Sequence, residues 1–159
     1  MSDPREAVYN QILRSAAPEA VDSILLCVKM LHTCNVLEGQ ITRGLSDYGI
    51  SLQAFNVLCL LEEEPEQSLP LSELSRLLFT TPANITGLVD AVSKRGWVER
   101  VQHPVDRRVK LARLLPAGLE ALRGMKPTQE RSSIQIASGL SGEELRTLTA
   151  LLDKWRASL

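Results

Sequence analysis

The run Trp97-Val98-Glu99-Arg100-Val101, the segment His103-Pro104-Val105-Asp106-Arg107-Arg108 and the run Val109-Lys110-Leu111-Ala112-Arg113-Leu114 decide how this chain folds. The outer two read as strands, and the polar, proline-containing segment between them reads as the turn of a basic β-hairpin. Two helices are expected just upstream. One covers about Leu71 to Leu78, with Leu71, Leu74, Leu77 and Leu78 facing inward. The next starts after Thr81, whose hydroxyl can cap orphan backbone N–H groups, while Pro82 stands where a missing N–H does no harm. Ile85, Leu88, Val89 and Val92 recur at helical spacing as its buried stripe. Lys94 and Arg95 suit its negative end, and Gly96 can take the left-handed conformation that stops it. Helix, turn, helix and basic hairpin, in that order, describe a winged helix-turn-helix, which points to double-stranded DNA before any enzyme is considered.

The pattern is helical on both sides of this region. A helix from about Ser51 to Glu64 carries Phe55, Leu58 and Leu61 as its core stripe, with Ser51 as N-cap and Pro65 closing it. A long helix is expected from Pro18 to about Leu45, apolar along Val21, Ile24, Leu25, Val28 and Leu31, with Gly49 marking its end. Residues 8–14 suit a short helix before it. Downstream, Pro116 opens a helix through roughly Ala137, which Pro127 is expected to kink or break. A last helix starts at Ser141, in capping-box register with Glu144, and carries Leu145, Leu148, Leu152 and Trp155 on one face. The fold class is therefore mainly α with a small β-hairpin wing (α+β). Residues 1–48 are expected as N-terminal dimerisation helices, 49–115 as the winged helix-turn-helix and 116–159 as C-terminal dimerisation helices. A compact winged helix does not need the terminal helices, and a second copy of the chain is the simplest cover for their apolar faces. A homodimer would read two half-sites of a pseudo-palindromic operator.

The net charge of the 159-residue chain is −1, so any signal for nucleic acid has to be local. Between Val92 and Arg113 seven basic residues (Lys94, Arg95, Arg100, Arg107, Arg108, Lys110, Arg113) stand against Glu99 and Asp106, a balance of +5, whereas residues 1–66 carry −6. A basic face on an otherwise acidic chain suits phosphate contact. Aromatic residues make up 4%, too few for single-strand stacking platforms. No uninterrupted apolar run of membrane-spanning length appears, and the N-terminus lacks a signal-peptide pattern, so a cytoplasmic location without a membrane partner is expected. Three cysteines without a C-x-x-C fit a reducing compartment and no structural zinc. No Ser/His/Asp arrangement, metal cluster or glycine-rich phosphate loop is visible, and His32 and His103 lie far apart. Neither catalytic residues nor a cofactor are expected.

The stretch Ile85-Thr86-Gly87-Leu88-Val89-Asp90-Ala91-Val92-Ser93-Lys94-Arg95-Gly96-Trp97-Val98-Glu99-Arg100 resembles the recognition helix and following strand of the MarR-type transcriptional regulators. Pro104-Val105-Asp106-Arg107-Arg108-Val109-Lys110-Leu111, then Leu114-Leu115-Pro116-Ala117-Gly118, resembles that family's wing, second strand and next helix start. The similarity extends from about Ile24 to Trp155. It implies a dimer built on helices from both termini, a recognition helix in each major groove, a wing in the adjacent minor groove, and repression relieved by a small molecule or by oxidation. The chain departs from the family pattern at Gly87, where many relatives carry a basic residue. It also departs at Phe79, where the inter-helix turn often has glycine, and at Leu115, where a capping threonine is common.

With its stripe buried, the recognition helix presents Ala83, Asn84, Thr86, Gly87 and Asp90. Asn84 offers the carboxamide that suits adenine, or serves the helix start; Thr86 can donate to a base or phosphate. Pro82 and Ala83 can touch a thymine methyl, and Thr81 with the first-turn N–H groups can hold a phosphate. Arg108 is the first choice for a narrow A·T-rich minor groove and Arg107 the second. Asp106 would repel phosphate, so its expected task is to pair with an arginine and shape the wing. Lys94, Arg95, Lys110 and Arg113 are backbone-contact candidates or plain surface charges.

The resemblance also implies an aromatic or phenolic effector between the dimer helices and the winged lobe. His32, Asn35, Arg43 and Phe55 are the candidates there, with Arg43 able to neutralise a carboxylate. Cys27 resembles, in its distance from Ile50, the reactive cysteine of the family's hydroperoxide-sensing branch, but Leu31 and Ile41 stand where its partner tyrosines would be. A buried structural cysteine is therefore expected at Cys27. Cys27 and Cys34 share a helix face about 10 Å apart, too far for a disulfide. Two other functions compete. One is a winged-helix protein-interaction module without DNA binding, which Gly87 and the few basic residues on the recognition helix keep open and Arg107 and Arg108 oppose. The other is a thiol-based redox-sensing regulator using Cys27.

Overall fold

The computed structural model describes Gln11, Arg14 and residues 16–159. Most of the short helix expected over residues 8–14 lies outside the described residues; Gln11 and Arg14 are helical. The chain divides into two compact units, Met1–Gln40 and Ile41–Leu159.

In the first unit a 3-10 turn at Pro18–Ala20 leads into α1 (Val21–Gly44), whose last residues belong to the second unit. Glu19 and Asp22 complement its positive end and Arg43 its negative end. No residue of α1 is buried, and Leu26, Leu31 and Val36 are exposed. By length and composition alone Pro18–Gly44 would cross a bilayer, at a mean hydropathy of 1.4. A search for uninterrupted apolar residues overlooks it because Asp22, Lys29 and Glu38 break the run. Gly49 does not end this helix. The helix stops at Gly44, Ser46–Tyr48 form a separate 3-10 turn, and Gly49, at φ +59°, closes that turn.

The second unit continues with α2 (Leu52–Glu63), β1 (Ser68–Pro70), α3 (Leu71–Leu77), α4 (Pro82–Ser93), β2 (Val98–Gln102), β3 (Lys110–Leu114), α5 (Pro116–Ala137) and α6 (Gly142–Arg156). The Ser51 hydroxyl accepts the Ala54 N–H and starts α2. Phe55, Val57, Leu58 and Leu61 of α2 are buried with Leu74 of α3, with Ile85, Val89 and Val92 of α4, and with Val98, Ala112 and Leu114 of the strands. Leu122 and Met125 of α5 complete this core. Fully burying one such aliphatic side chain contributes about 1.5–3 kcal/mol, so the cluster is what holds α4 in place.

The hairpin β2–β3 runs antiparallel with Val98 opposite Leu114 and Gln102 opposite Lys110. β1 adds a third strand that the sequence does not announce. It pairs antiparallel with β3 through Leu69 opposite Ala112, giving the order β1-β3-β2. Its Pro70 is compatible with an edge position, where no ladder donor is needed. α5 runs unbroken through Pro127, so no break occurs there. Leu115 at its N-cap supplies no side-chain cap; its N–H bonds instead to the Trp97 carbonyl at 2.9 Å. That same carbonyl explains Gly118, because a Cβ there would lie 2.3 Å from the Trp97 oxygen. α6 starts at Ser141 with a complete capping box to Glu144. It buries no residue and leaves Leu148, Leu151 and Leu152 exposed.

The turn between α3 and α4 carries one strained residue. Phe79 has φ +49°, in the left-handed region, and its ring is 94% exposed. That conformation costs a non-glycine residue about 1–2 kcal/mol, and an exposed ring gains no burial to offset it. Phe79→Gly is expected to raise the unfolding free energy by up to about 1 kcal/mol after the larger unfolded-state entropy of glycine is subtracted. Urea denaturation measures this, and a loss of stability would show that the turn is not strained.

Candidate nucleic-acid interface

The rotation of α4 about its own axis is set by Ile85, Val89 and Val92, each 0% exposed. Pro82, Ala83, Asn84, Thr86 and Gly87 are left exposed, with Thr81 at the N-cap. The Thr81 hydroxyl accepts the Asn84 N–H at 3.2 Å. Nothing stands within 4 Å of where a Cβ on Gly87 would project.

Two polar groups of this face are already engaged. Asn84 Nδ2 donates to Thr80 Oγ1 at 2.7 Å, so that arm of the carboxamide secures the helix start. Thr86 Oγ1 donates to the Pro82 carbonyl at 2.9 Å, which leaves the hydroxyl as an acceptor rather than the expected donor.

Arg100, which the sequence reading did not single out as a contact, joins α4 to the sheet. Its guanidinium lies 2.8 Å from the Asp90 carboxylate and donates to the Thr86 carbonyl at 2.8 Å. An aspartate on α4 and an arginine in the next strand were both visible in the sequence, but no spacing rule links them. Arg95 is likewise occupied. It donates to the Gly49 carbonyl at 2.8 Å, and its guanidinium sits 5.2 Å from the centre of the Trp97 ring. Arg113 pairs with Glu99, its cross-strand neighbour, at 3.3 Å. Lys94 and Lys110 are exposed and have no side-chain partner among the described residues.

The wing loop from His103 to Val109 is held by its own side chains. Nδ1 of His103 accepts the N–H groups of Val105 and Asp106, each at 3.2 Å. Asp106 Oδ1 accepts the Arg108 N–H at 3.0 Å, and the Arg108 Nε and Nη2 lie 3.2 and 3.3 Å from the two carboxylate oxygens. The Val109 N–H donates to the Asp106 carbonyl, and the His103 N–H to the Val109 carbonyl. The hydrogen bonds from the Arg108 side chain, then from its backbone N–H, hold the Asp106 carboxyl below the ordinary aspartate range. Arg108 is thus tied to Asp106, while the exposed Arg107 has no side-chain partner among the described residues.

In the second unit a hollow of about 580 Å³ is lined by Phe55, Lys126, Gln129, Glu130, Ser133 and Ile134. Of the four effector candidates only Phe55 lines it. Arg43 is exposed near the end of α1, and His32 and Asn35 fall in the first unit. Lys126 was missed; it is ion-paired with Glu62, whose carboxylate holds the ammonium above the ordinary lysine range. Cys27 and Cys34 are exposed, which corrects the expectation of a buried structural thiol at Cys27: the α1 face that carries them is left uncovered among the described residues. Cys59 is half-buried, and burial pushes its thiol up. Among the described residues no group of three His, Cys, Asp or Glu is placed to hold a metal.

The MarR family model matches residues 50–110, from the last residue before the Ser51 cap to the first residue of β3. The transcriptional repressor MprA of Escherichia coli (strain K12) is 34% identical over 131 residues, which cover 82% of this chain and 74% of that protein. The chain belongs to the MarR family. This MarR-family chain also matches Sco3205, a MarR family transcriptional regulator from Streptomyces coelicolor solved in complex with DNA. The TM-score is 0.78 at 26% identity, covering 85% of this chain and 86% of that one. Wild-type apo MarR from E. coli matches with a TM-score of 0.66 at 25% identity over 79% of this chain and 93% of that one. The MarR family comprises transcriptional regulators and not enzymes, and the matched segment contains the whole recognition helix and wing loop.

The low Asp106 value has a direct readout. In an NMR titration the Arg108 amide, bonded to that carboxylate, is expected to shift with a midpoint below about 3.9, the ordinary aspartate value. The pairing is complete above that value and lost as pH falls through the lowered one. A midpoint at or above the ordinary value would show that the pair does not form.

Proposed function

We propose that this MarR-family protein is a sequence-specific, double-stranded-DNA-binding repressor that works as a homodimer and is released by a small-molecule effector. The observation that carries this reading is the bare face of α4 from Thr81 to Gly87, joined through Arg100 to a wing whose Arg107 is uncommitted. MprA is a transcriptional repressor and Sco3205 was solved with DNA, and both support the same role here. Pro82 and Ala83 suit thymine methyls, and the free oxygens of Asn84 and Thr86 suit base amino groups. Thr81, Lys94 and Lys110 suit phosphates. Arg107 becomes the first choice for the minor groove. Arg108, its side chain 91% exposed, can exchange Asp106 for phosphate, since an exposed ion pair is worth at most about 1 kcal/mol.

Residues 49–115 form the reader in this proposal, and residues 1–48 and 116–159 supply the dimer contacts. The uncovered Leu26, Leu31 and Val36 of α1 and Leu148, Leu151 and Leu152 of α6 support a second copy as their cover, in the cytoplasm rather than in a bilayer. The hollow beside Phe55 and Ile134 has the size of a small-molecule site, and Lys126 offers a cation to an aromatic or phenolic acid.

Titrating the purified protein with its own upstream DNA and with random duplex over a salt series tests this. Preferential, salt-sensitive binding is expected, and Arg107→Ala and Arg108→Ala are each expected to lower the salt slope by about one. Absence of binding even at low salt overturns the reading in favour of a protein-interaction module. An aromatic carboxylate that releases DNA from the wild type is expected to act about tenfold more weakly on Lys126→Gln, measured in the same assay. Equal potency would remove the hollow from the proposal.

A further inference from the structure

We propose that His103 is a pH-responsive organiser of the wing: its imidazole, carrying a proton on Nε2 alone, holds the loop, and a proton gained on Nδ1 releases it. The consequence for DNA rests on the function proposed above; the consequence for the loop does not.

Two backbone donors aim at one ring nitrogen. The N–H groups of Val105 and Asp106 both lie 3.2 Å from Nδ1. A nitrogen that accepts must hold a lone pair, so the geometry selects the neutral Nε2–H tautomer. Pro104, next after His103, has no N–H and a fixed φ, so the His103 ring receives the first two backbone donors that follow it. Asp106 then receives the next side-chain-capped donor, the Arg108 N–H. The loop thus has a side-chain acceptor at each end, and the imidazole nitrogen ceases to accept once it binds a proton.

Protonation places a hydrogen on Nδ1, and the two amides then face a donor. The charges of the loop and its neighbouring strand pull in different directions. The Asp106 carboxylate attracts an imidazolium, while Arg108 on that carboxylate, Arg107 beside it and Lys110 at the start of β3 repel one. An imidazolium drawn to Asp106 also competes with Arg108 for the carboxylate. The site is partly exposed, so water can take over the freed amides, and the change is confined to the shape of the loop. Its effect on DNA binding has a distinctive sign. A histidine that merely approached phosphate would tighten binding as it gained charge, whereas loss of the wing weakens it.

The experiment uses the full chain as wild type, His103→Asn and His103→Ala. The asparagine Oδ1 can accept N–H groups two residues on, as in an Asx-turn, at any pH in the range. Nitrogen-15 spectra of the ring at about pH 8 are expected to show Nδ1 unprotonated. Amide exchange at Val105 and Asp106, corrected for intrinsic pH dependence, is expected to speed up about tenfold in the wild type between about pH 8 and pH 5.5. It is expected to stay constant in His103→Asn and to be fast throughout in His103→Ala. Affinity of the wild type for its operator, relative to His103→Asn, is expected to fall about tenfold over the same range. An Nδ1–H tautomer at the higher pH, constant protection in the wild type, or an equal pH-dependent loss in His103→Asn overturns the inference. If the amides behave as expected and the wild type binds no DNA at any pH, the wing inference stands and the proposed function fails.

Discussion

Ile85, Val89 and Val92 are all fully buried, and a helix can turn only one such stripe into a core. Their spacing of four and three residues fixes which edge of α4 meets Leu58, Leu61 and Leu74 and which is left to solvent. What α4 itself can offer a nucleic acid follows from that rotation. Thr81 to Gly87 are exposed because the residues interleaved with them are not. The helix does not depend on burial alone. Thr81 and Asn84 secure its start, while Arg100 grips its middle through Asp90 and the Thr86 carbonyl. Arg95 ties the loop at Gly49 to the segment just past the helix end.

The basic residues between Val92 and Arg113 divide into two populations. Arg95, Arg100 and Arg113 are committed to partners within the unit, and Arg108 is held by Asp106. Lys94, Arg107 and Lys110 are not committed among the described residues. A local charge balance of +5 therefore overstates the charge available to a phosphate backbone. Four of these seven basic residues act as joinery, and the other three set the field that a polyanion would meet.

Local features of the fold were legible in the sequence, and features made by distant partners were not. The Ser51 and Thr81 caps, the capping box at Ser141 and the stop at Gly96 each depend on residues within four positions, and all are present. The pairing of Asp106 with Arg108 spans two residues and was equally accessible. β1 was not accessible, because Ser68-Leu69-Pro70 has no strand character of its own and exists by pairing with Arg113, Ala112 and Leu111. The same reason hid Arg95, whose carbonyl partner lies 46 residues away, and Lys126, whose carboxylate lies 64 residues away. In the hollow beside Phe55 the sequence suggested the aromatic floor but not the cation. Arg43, a plausible cation by segment, ends up exposed elsewhere.

Gly87 sits in the middle of the exposed face with open space around it. A glycine inside a helix costs about 0.5–1 kcal/mol relative to alanine, so almost any side chain placed there would leave the fold intact or firmer. Asn84 and Thr86 are different, since each is bonded to the helix it stands on, and changing either disturbs the scaffold along with the surface. At Gly87, then, the chemistry of this exposed face can be rewritten without renegotiating the architecture. A lineage carrying this chain could change what the exposed face of α4 offers through that single codon while keeping the helix beneath it.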